Sequence, residues 1–132
     1  MAMLARGEPS DDILSELCRS AEAREPGALA AVLVLDRDSR CFDRAIAPTL
    51  GPSYTAPLAG AEVGPRVGTC AAAIYRGEPV ISTDIANDTR WTPAWRDLHL
   101  AHGVQACQST PIFASDGRAL GTFVLGFRQP RV

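Results

Sequence analysis

The chain has 132 residues, 46% of them hydrophobic and 21% charged, with a formal net charge of −2. That size and balance describe one globular domain with enough core to need no staples, and exclude a disordered tail. The slight acidity offers no basic field for nucleic acid or an anionic membrane.

The longest apolar run, 29–35, is too short to cross a bilayer as a helix. Residues 1–4 carry no charged segment leading into a long apolar stretch, so no signal peptide is expected and the cytoplasm is the expected compartment. Cysteines stand at 18, 41, 70 and 107, none in a Cys-x-x-Cys pair and none at zinc-finger spacing from the two histidines. Reduced thiols are the expectation, because an adequate core removes the need for disulfides.

In chain order, residues 1–9 read as an N-terminal extension. Ser10 then caps a helix whose first turn is acidic, and Ile13, Leu14, Leu17, Cys18 and Ala21 fall on one face at helical period. Pro26-Gly27 closes that helix. The run 28–36 reads as a buried strand, 36–39 as a polar turn, and 40–47 as the returning strand of a hairpin. Residues 48–65 are rich in Pro, Gly, Ala and Ser, and are too long for a plain connector. They are expected to hold a short helix around 54–58 and to cover something.

The organising stretch is 64–85. A glycine-punctuated loop leads to Gly68, and a helix of small residues follows from Thr69 to Tyr75. Gly77 and Pro79 break it, Val80-Ile81 form a brief strand, and an acidic turn starts at Asp84. A helix of Cys and Ala packs closely on whatever lies beneath it. The free amides at its start, near Gly68 and Thr69, face whatever lies above. This is the build of a pocket wall. Thr92 and Pro93 then start a helix that stops at Gly103. Strands at 104–113 and 119–127 flank a hairpin turn at 115–118. The tally is α+β with a mostly hairpin-linked antiparallel sheet.

Each candidate site residue also has a plain structural reading. Cys70 sits at a helix start, where the dipole lowers a thiol pKa; it is a reactive thiol, a ligand contact, or a small packing residue, and packing is favoured. Cys107 has the same alternatives and can face Cys70 across the pocket. Asp84 and Asp88 suit a polar ligand group or turn chemistry. Trp91 and Trp95, four apart, either stack on a planar ligand or anchor their helix to the sheet. Arg66 flanks the loop and suits an anion or solvent, as does Arg76. Tyr54 and Tyr75 close the pocket or edge the core. His99 and His102 share a helix face but have no evident third ligand, so no metal is expected.

Several motifs together resemble the GAF domain of bacterial signalling proteins, of the type found in sensor histidine kinases and cyclic-di-GMP turnover proteins. They are Gly68-Thr69-Cys70 entering the Ala helix, Arg76-Gly77-Glu78-Pro79-Val80, Asp84-Ile85-Ala86 with Arg90-Trp91, Ala106-Cys107 through Ser109-Thr110-Pro111-Ile112, Asp116-Gly117 and Leu120-Gly121-Thr122. The match covers residues 10–130 as a single GAF domain.

The resemblance implies a central antiparallel sheet of about six strands with helices on both faces. It implies an N-terminal helix that pairs in a homodimer, and a pocket under the Cys70 helix and the loops. It also implies a non-catalytic sensor of an unidentified small molecule, acting on an effector domain in cis or in trans. Two departures matter. Ala71 stands where such members commonly carry Gly, and the sequence ends soon after the last strand, as in a sensor separated from its effector.

The cofactor is unknown. Bilin-binding members usually follow the attachment Cys with His, whereas Gln108 and Ala71 follow Cys107 and Cys70 here. Cyclic-nucleotide-binding members carry an Asn-Lys pattern, and this chain has no lysine. His99 and His102 are poor haem ligands on an amphipathic helix.

The alternatives are a free methionine sulfoxide reductase-like thiol enzyme, similar only at Cys70, and a dimerisation scaffold without ligand. A cavity of roughly 300 Å³ with convergent polar groups would favour a sensor over a scaffold.

Overall fold

The computed structural model describes residues 10–131. The expected extension at 1–9 lies outside them. Ser10 caps α1 (Asp11–Arg24), its hydroxyl accepting from the Ile13 amide at 3.3 Å. The buried stripe is narrower than the apolar spacing predicts. Leu14 and Cys18 are buried, but Leu17 is 53% exposed, because it sits at the edge of the arc that meets the sheet. Glu22 ties α1 down, accepting the Ala30 amide at 2.9 Å and the Thr49 hydroxyl at 2.7 Å.

The all-apolar segment becomes β1 (Ala28–Leu35), and β2 (Phe42–Ile46) returns beside it. Pro52 starts a short helix α2 (Pro52–Leu58), whose Tyr54 and Leu58 turn inward. The small-residue helix α3 (Thr69–Arg76) follows and ends on Gly77, left-handed at φ 70°. Glycine adopts that conformation without cost, and its amide caps the Ala73 carbonyl at 2.8 Å. Next come β3 (Val80–Ser82), a 3-10 turn at Ile85–Asn87, and α4 (Pro93–Ala101), then the hairpin of β4 (Ala106–Phe113) and β5 (Ala119–Phe127).

The sheet has five strands in the order β2-β1-β5-β4-β3, every neighbouring pair antiparallel. About six were expected. Residues 60–63 run beside β2 and bond to Arg40 and Phe42, but they form only an isolated bridge, Cys41 to Glu62, and not a sixth strand. One sheet face carries α1 over Ala30, Val32 and Ile46. The other buries Leu29, Ala31, Leu33 and Val124 beneath α2, α3 and α4. The larger core lies on that second face, and so does the site.

Candidate functional site

Hydroxyl groups pin the start of α3 to the sheet. Alternation along β4 points Cys107 and Ser109 at the helix, and the β5 register brings Thr122 to the same face. Thr69 Oγ1 lies 2.8 Å from Ser109 Oγ and 3.2 Å from Cys107 Sγ. Ser109 donates to Cys70 Sγ at 3.6 Å, and Thr122 Oγ1 donates to the Cys70 carbonyl at 3.2 Å. All five residues are buried. Cys70 therefore meets Ser109 and Cys107 meets Thr69, and those two hydroxyls are bonded to each other. Burial pushes both thiols above the ordinary value despite the hydrogen bonds that favour thiolates. They are protonated packing groups near neutral pH, and the helix dipole does not win at Cys70.

Gly68 is the N-cap of α3 and offers no side chain to cap it, so the first amides of the helix have no acceptor inside it. Beside Gly68 is the Trp95 indole. A Cβ at residue 68 would lie 2.1 Å from Trp95 Nε1, so only glycine fits there. Threonine chemistry holds this approach. Thr92 Oγ1 donates to the Val67 carbonyl at 3.2 Å and accepts the Trp95 amide at 3.4 Å, while the Thr92 amide donates to the Arg66 carbonyl at 3.0 Å. One residue thus caps α4 and straps the 64–68 loop to it.

Between these parts lies a crevice of about 10 Å³, lined by Leu33, Phe42, Leu58, Val67, Cys70 and Trp95 among others. Trp95 is 96% buried, its relative exposure being 4%. Its Nε1 has no hydrogen-bond partner, the one such buried side-chain nitrogen or oxygen among the described residues. A buried donor left unpaired costs about 1–3 kcal/mol, so it needs an account.

Behind Trp95 stands a polar relay. His99 Nδ1 is 2.9 Å from the Trp95 carbonyl, which can only accept, so the proton sits on Nδ1. His99 Nε2 then accepts from the Tyr54 hydroxyl at 2.8 Å. Burial lowers the His99 pKa to about 4 and keeps the ring neutral. The rings interlock: His99 stacks on Trp95 at 4.0 Å and meets Tyr54 edge-on at 5.1 Å. His102 repeats the pattern at the rim, with Nδ1 2.8 Å from the Leu98 carbonyl and Nε2 2.9 Å from Ser53 Oγ.

The nine residues singled out from sequence separate into three groups. Cys70 and Trp95 line the crevice, with Tyr54 one contact behind and Cys107 beneath α3. Asp88 and Trp91 form a separate latch. Arg90 grips Asp88 with Nε at 2.9 Å and a terminal nitrogen at 2.7 Å, and also donates to the Ile81 carbonyl. Ser82 donates to Asp88 at 2.6 Å and accepts from Trp91 Nε1 at 3.2 Å. The Arg90 hydrogen bonds hold the Asp88 carboxyl well below the usual range. Both residues have their polar groups filled by the protein, so neither is placed to hold a ligand at the crevice.

Arg66, Tyr75 and Asp84 lie apart from it. Tyr75 is 62% exposed because five residues after Cys70 carry it around to the far side of α3. Arg66 is exposed at the loop, and Asp84 accepts from Asn87 Nδ2 at 2.8 Å in its own turn. The loop 64–68 and the turn at Asp84 are the two ends of the organising stretch expected to hold a ligand; Val67 and Gly68 line the crevice, whereas Asp84 does not. The visible signal was a glycine heading a helix of small residues; the His99 role depends on a tyrosine 45 positions earlier and had none.

A five-stranded antiparallel sheet with a close-packed helix and loops over one face is a fold that comparison can identify. A GAF domain family model matches residues 7–132. The chain is a GAF domain. A curated relative, the methyl sulfide methyltransferase-associated sensor of Methanosarcina acetivorans, is 31% identical over 128 residues. That alignment covers 97% of this chain and 13% of the relative, so the chain corresponds to a small part of that sensor.

Among solved structures, a domain assigned to a two-component sensor histidine kinase of Sinorhizobium meliloti 1021 superposes with a TM-score of 0.68 at 15% identity, covering 96% of this chain and 79% of that one. The free methionine-R-sulfoxide reductase of Neisseria meningitidis gives 0.60 at 19%, covering 96% and 68%. These likenesses show the fold alone. The same GAF framework carries a kinase sensor domain and an enzyme, so the function of this GAF domain must be argued from its site.

Proposed function

We propose that this GAF domain is a non-catalytic sensory module of a cytoplasmic signal-transduction protein, binding a small molecule in the crevice between Gly68, Cys70 and Trp95. The observation that carries the reading is the unpartnered Trp95 Nε1 buried beside the uncapped start of α3. Size alone argues the other way: about 10 Å³ is far below a ready-made ligand pocket and matches a scaffold. A scaffold core, however, has no reason to keep an unsatisfied donor against a glycine. Ligand binding would therefore open the 59–67 loop over the crevice and not fill a standing cavity. The naming of the 31% identical relative as a sensor agrees.

In this reading the protein dimerises through α1, whose Leu17 faces outward, and passes the loop movement to an effector domain in cis or in trans, of histidine kinase or diguanylate cyclase type. The thiol-enzyme alternative is disfavoured because burial raises the Cys70 and Cys107 pKa values, against the need of a nucleophile.

A thermal-shift screen of small metabolites, run beside an assay for thiol-dependent reduction of free methionine sulfoxide, tests the proposal. A ligand that raises Tm with concentration is expected. Turnover that Cys70→Ser abolishes, with no ligand found, would reverse the conclusion.

A further inference from the structure

We propose that Ser53 is an acyl-acceptor site, with His102 as its general base and the Leu98 carbonyl as the group that holds that base. The substrate class is an activated carboxylic ester, one whose leaving group is a stable anion. The site uses no residue of the crevice lining and goes beyond the sensory reading.

The geometry fixes the direction of each bond. Ser53 Oγ lies 2.9 Å from His102 Nε2. His102 Nδ1 lies 2.8 Å from the Leu98 carbonyl, which can only accept, so the ring proton sits on Nδ1. Nε2 then presents a lone pair, and the Ser53 hydroxyl is the donor. A hydroxyl that donates to an imidazole, itself oriented by a third group, is the arrangement that activates a serine. Packing fixes the ring as well, since Tyr54 meets it edge-on at 5.5 Å. His102 is the C-cap of α4, so the proton it takes up is held at the negative end of the helix dipole.

A neighbouring pair shows what this one adds. Tyr54 and His99 make the same kind of bond between α2 and α4, with His99 held by the Trp95 carbonyl as His102 is held by Leu98. That pair is buried and joins the two helices in the core. The outer pair is not needed for the same purpose, because an exposed hydrogen bond exchanges with water and adds little to stability. What distinguishes it is access. Ser53 is exposed and His102 half-buried, so an ester reaches the pair from solvent.

In the step, Ser53 Oγ attacks the ester carbonyl carbon and its proton passes to His102 Nε2. The tetrahedral adduct collapses, the bond to the leaving oxygen breaks, and that oxygen departs with the electron pair. The products are O-acyl Ser53 and the leaving-group anion, and His102 returns the proton to water. No donor is assigned to the carbonyl oxygen, so the reach is limited to esters whose leaving group departs unaided.

The probe is p-nitrophenyl acetate, applied to the whole chain after Cys41, the half-exposed thiol, has been blocked. The chain has no lysine, so no side-chain amine competes. The expected result is an acetyl group on the peptide that holds Ser53, found by mass mapping, with an equivalent release of p-nitrophenolate. Ser53→Ala should remove that adduct. His102→Gln keeps an amide within reach of Ser53 but cannot take its proton, and should slow acetylation by about 100-fold or more. If either variant does not fold, the wild-type chain unfolded in urea serves in its place: the pair is broken there, and selective acetylation of Ser53 should be lost.

No acetyl group on Ser53 would overturn the proposal. So would acetylation at an unchanged rate in His102→Gln or in the unfolded chain, either of which makes Ser53 an ordinary exposed hydroxyl. Release that survives Ser53→Ala unchanged would overturn it too, and would assign the reaction to a group other than Ser53.

Discussion

Replacing Gly68 with alanine tests the construction of the site with one methyl group. The added carbon would lie 2.1 Å from Trp95 Nε1, 2.3 Å from Cδ1 and 2.4 Å from Cε2. Carbon contacts settle near about 3.5–4.0 Å, so the indole or the loop must retreat by more than about 1 Å. Neither is free to do so. The Trp95 ring is held by His99 at 4.0 Å and Trp91 at 5.7 Å, and the loop is strapped by the two Thr92 bonds. The backbone of Gly68 is extended, so the cost is steric and not torsional. Overpacking in a tight core costs typically about 1–3 kcal/mol, and three contacts this short place the variant at the upper end. With about 2.1 cal/mol/K of unfolding entropy per residue, a 132-residue domain loses about 10 °C in Tm for 3 kcal/mol. Thermal unfolding followed by circular dichroism measures this, and tryptophan fluorescence reports the displaced indole. A Tm within about 2 °C of wild type, with unchanged fluorescence, would refute the close approach of Gly68 and Trp95 and the site built on it.

Acid should destabilise the fold through His99. Its native pKa of about 4 lies below the unfolded 6.5, so the unfolded state binds the extra proton, and stability present above pH 6.5 is lost as pH falls toward 4. Between pH 7.5 and pH 5 the loss from this group is about 2 kcal/mol in urea unfolding; a flat response would contradict a neutral, buried His99. Asp88→Ala removes a carboxylate bound to Arg90 and Ser82, and should cost about 2 kcal/mol by the same measurement while leaving the Trp95 indole N–H peak of a 15N-labelled sample in place. A thiol reagent applied to the native protein should label Cys41, which is partly exposed, and reach Cys18, Cys70 and Cys107 only on unfolding. Burial pushes the Cys18 thiol up to about 11, in the same direction as the two thiols under α3. Rapid native labelling of Cys70 would revive the thiol-enzyme reading.

The elements whose ends are set by local chemistry were legible in the sequence. Ser10 and Thr92 cap the helices they were expected to cap, and Gly77 and Gly103 stop α3 and α4 with positive φ. The Ala and Cys content of α3 announced a close-packed helix, and the structure buries it from Thr69 to Ala73. Periodicity was weaker at the edge of a stripe, where Leu17 reads as core beside Leu14 and Cys18 although it lies at the rim of the arc that meets the sheet and is exposed. Asp84 and Asp88 look alike as members of an acidic turn. What separates them is Arg90 two residues beyond Asp88, together with Ser82, which sequence places on a strand without saying which way it points.

The candidate site was legible only in its scaffold. Sequence marked Trp95 as either a stacking surface or a helix anchor, and the structure makes the ring an anchor: it is held by His99, Trp91 and Gly68. What sequence cannot express is that the anchor leaves its one polar atom unpaired. Trp91, four residues earlier on the same apolar pattern, has its N–H satisfied by Ser82. The two tryptophans are equivalent in composition, spacing and burial, and they differ by a hydrogen bond that depends on which element each indole meets. Trp91 meets a strand that presents a hydroxyl, whereas Trp95 meets the glycine that begins α3, which has no side chain to offer. None of the side chains lining the crevice is a carboxylate or an amide that could take the indole N–H. In the sensory reading proposed above, an acceptor on the ligand would meet the Trp95 Nε1 that the fold leaves unpaired. A substitution that satisfied the indole from within would be expected to stabilise the domain and silence it together.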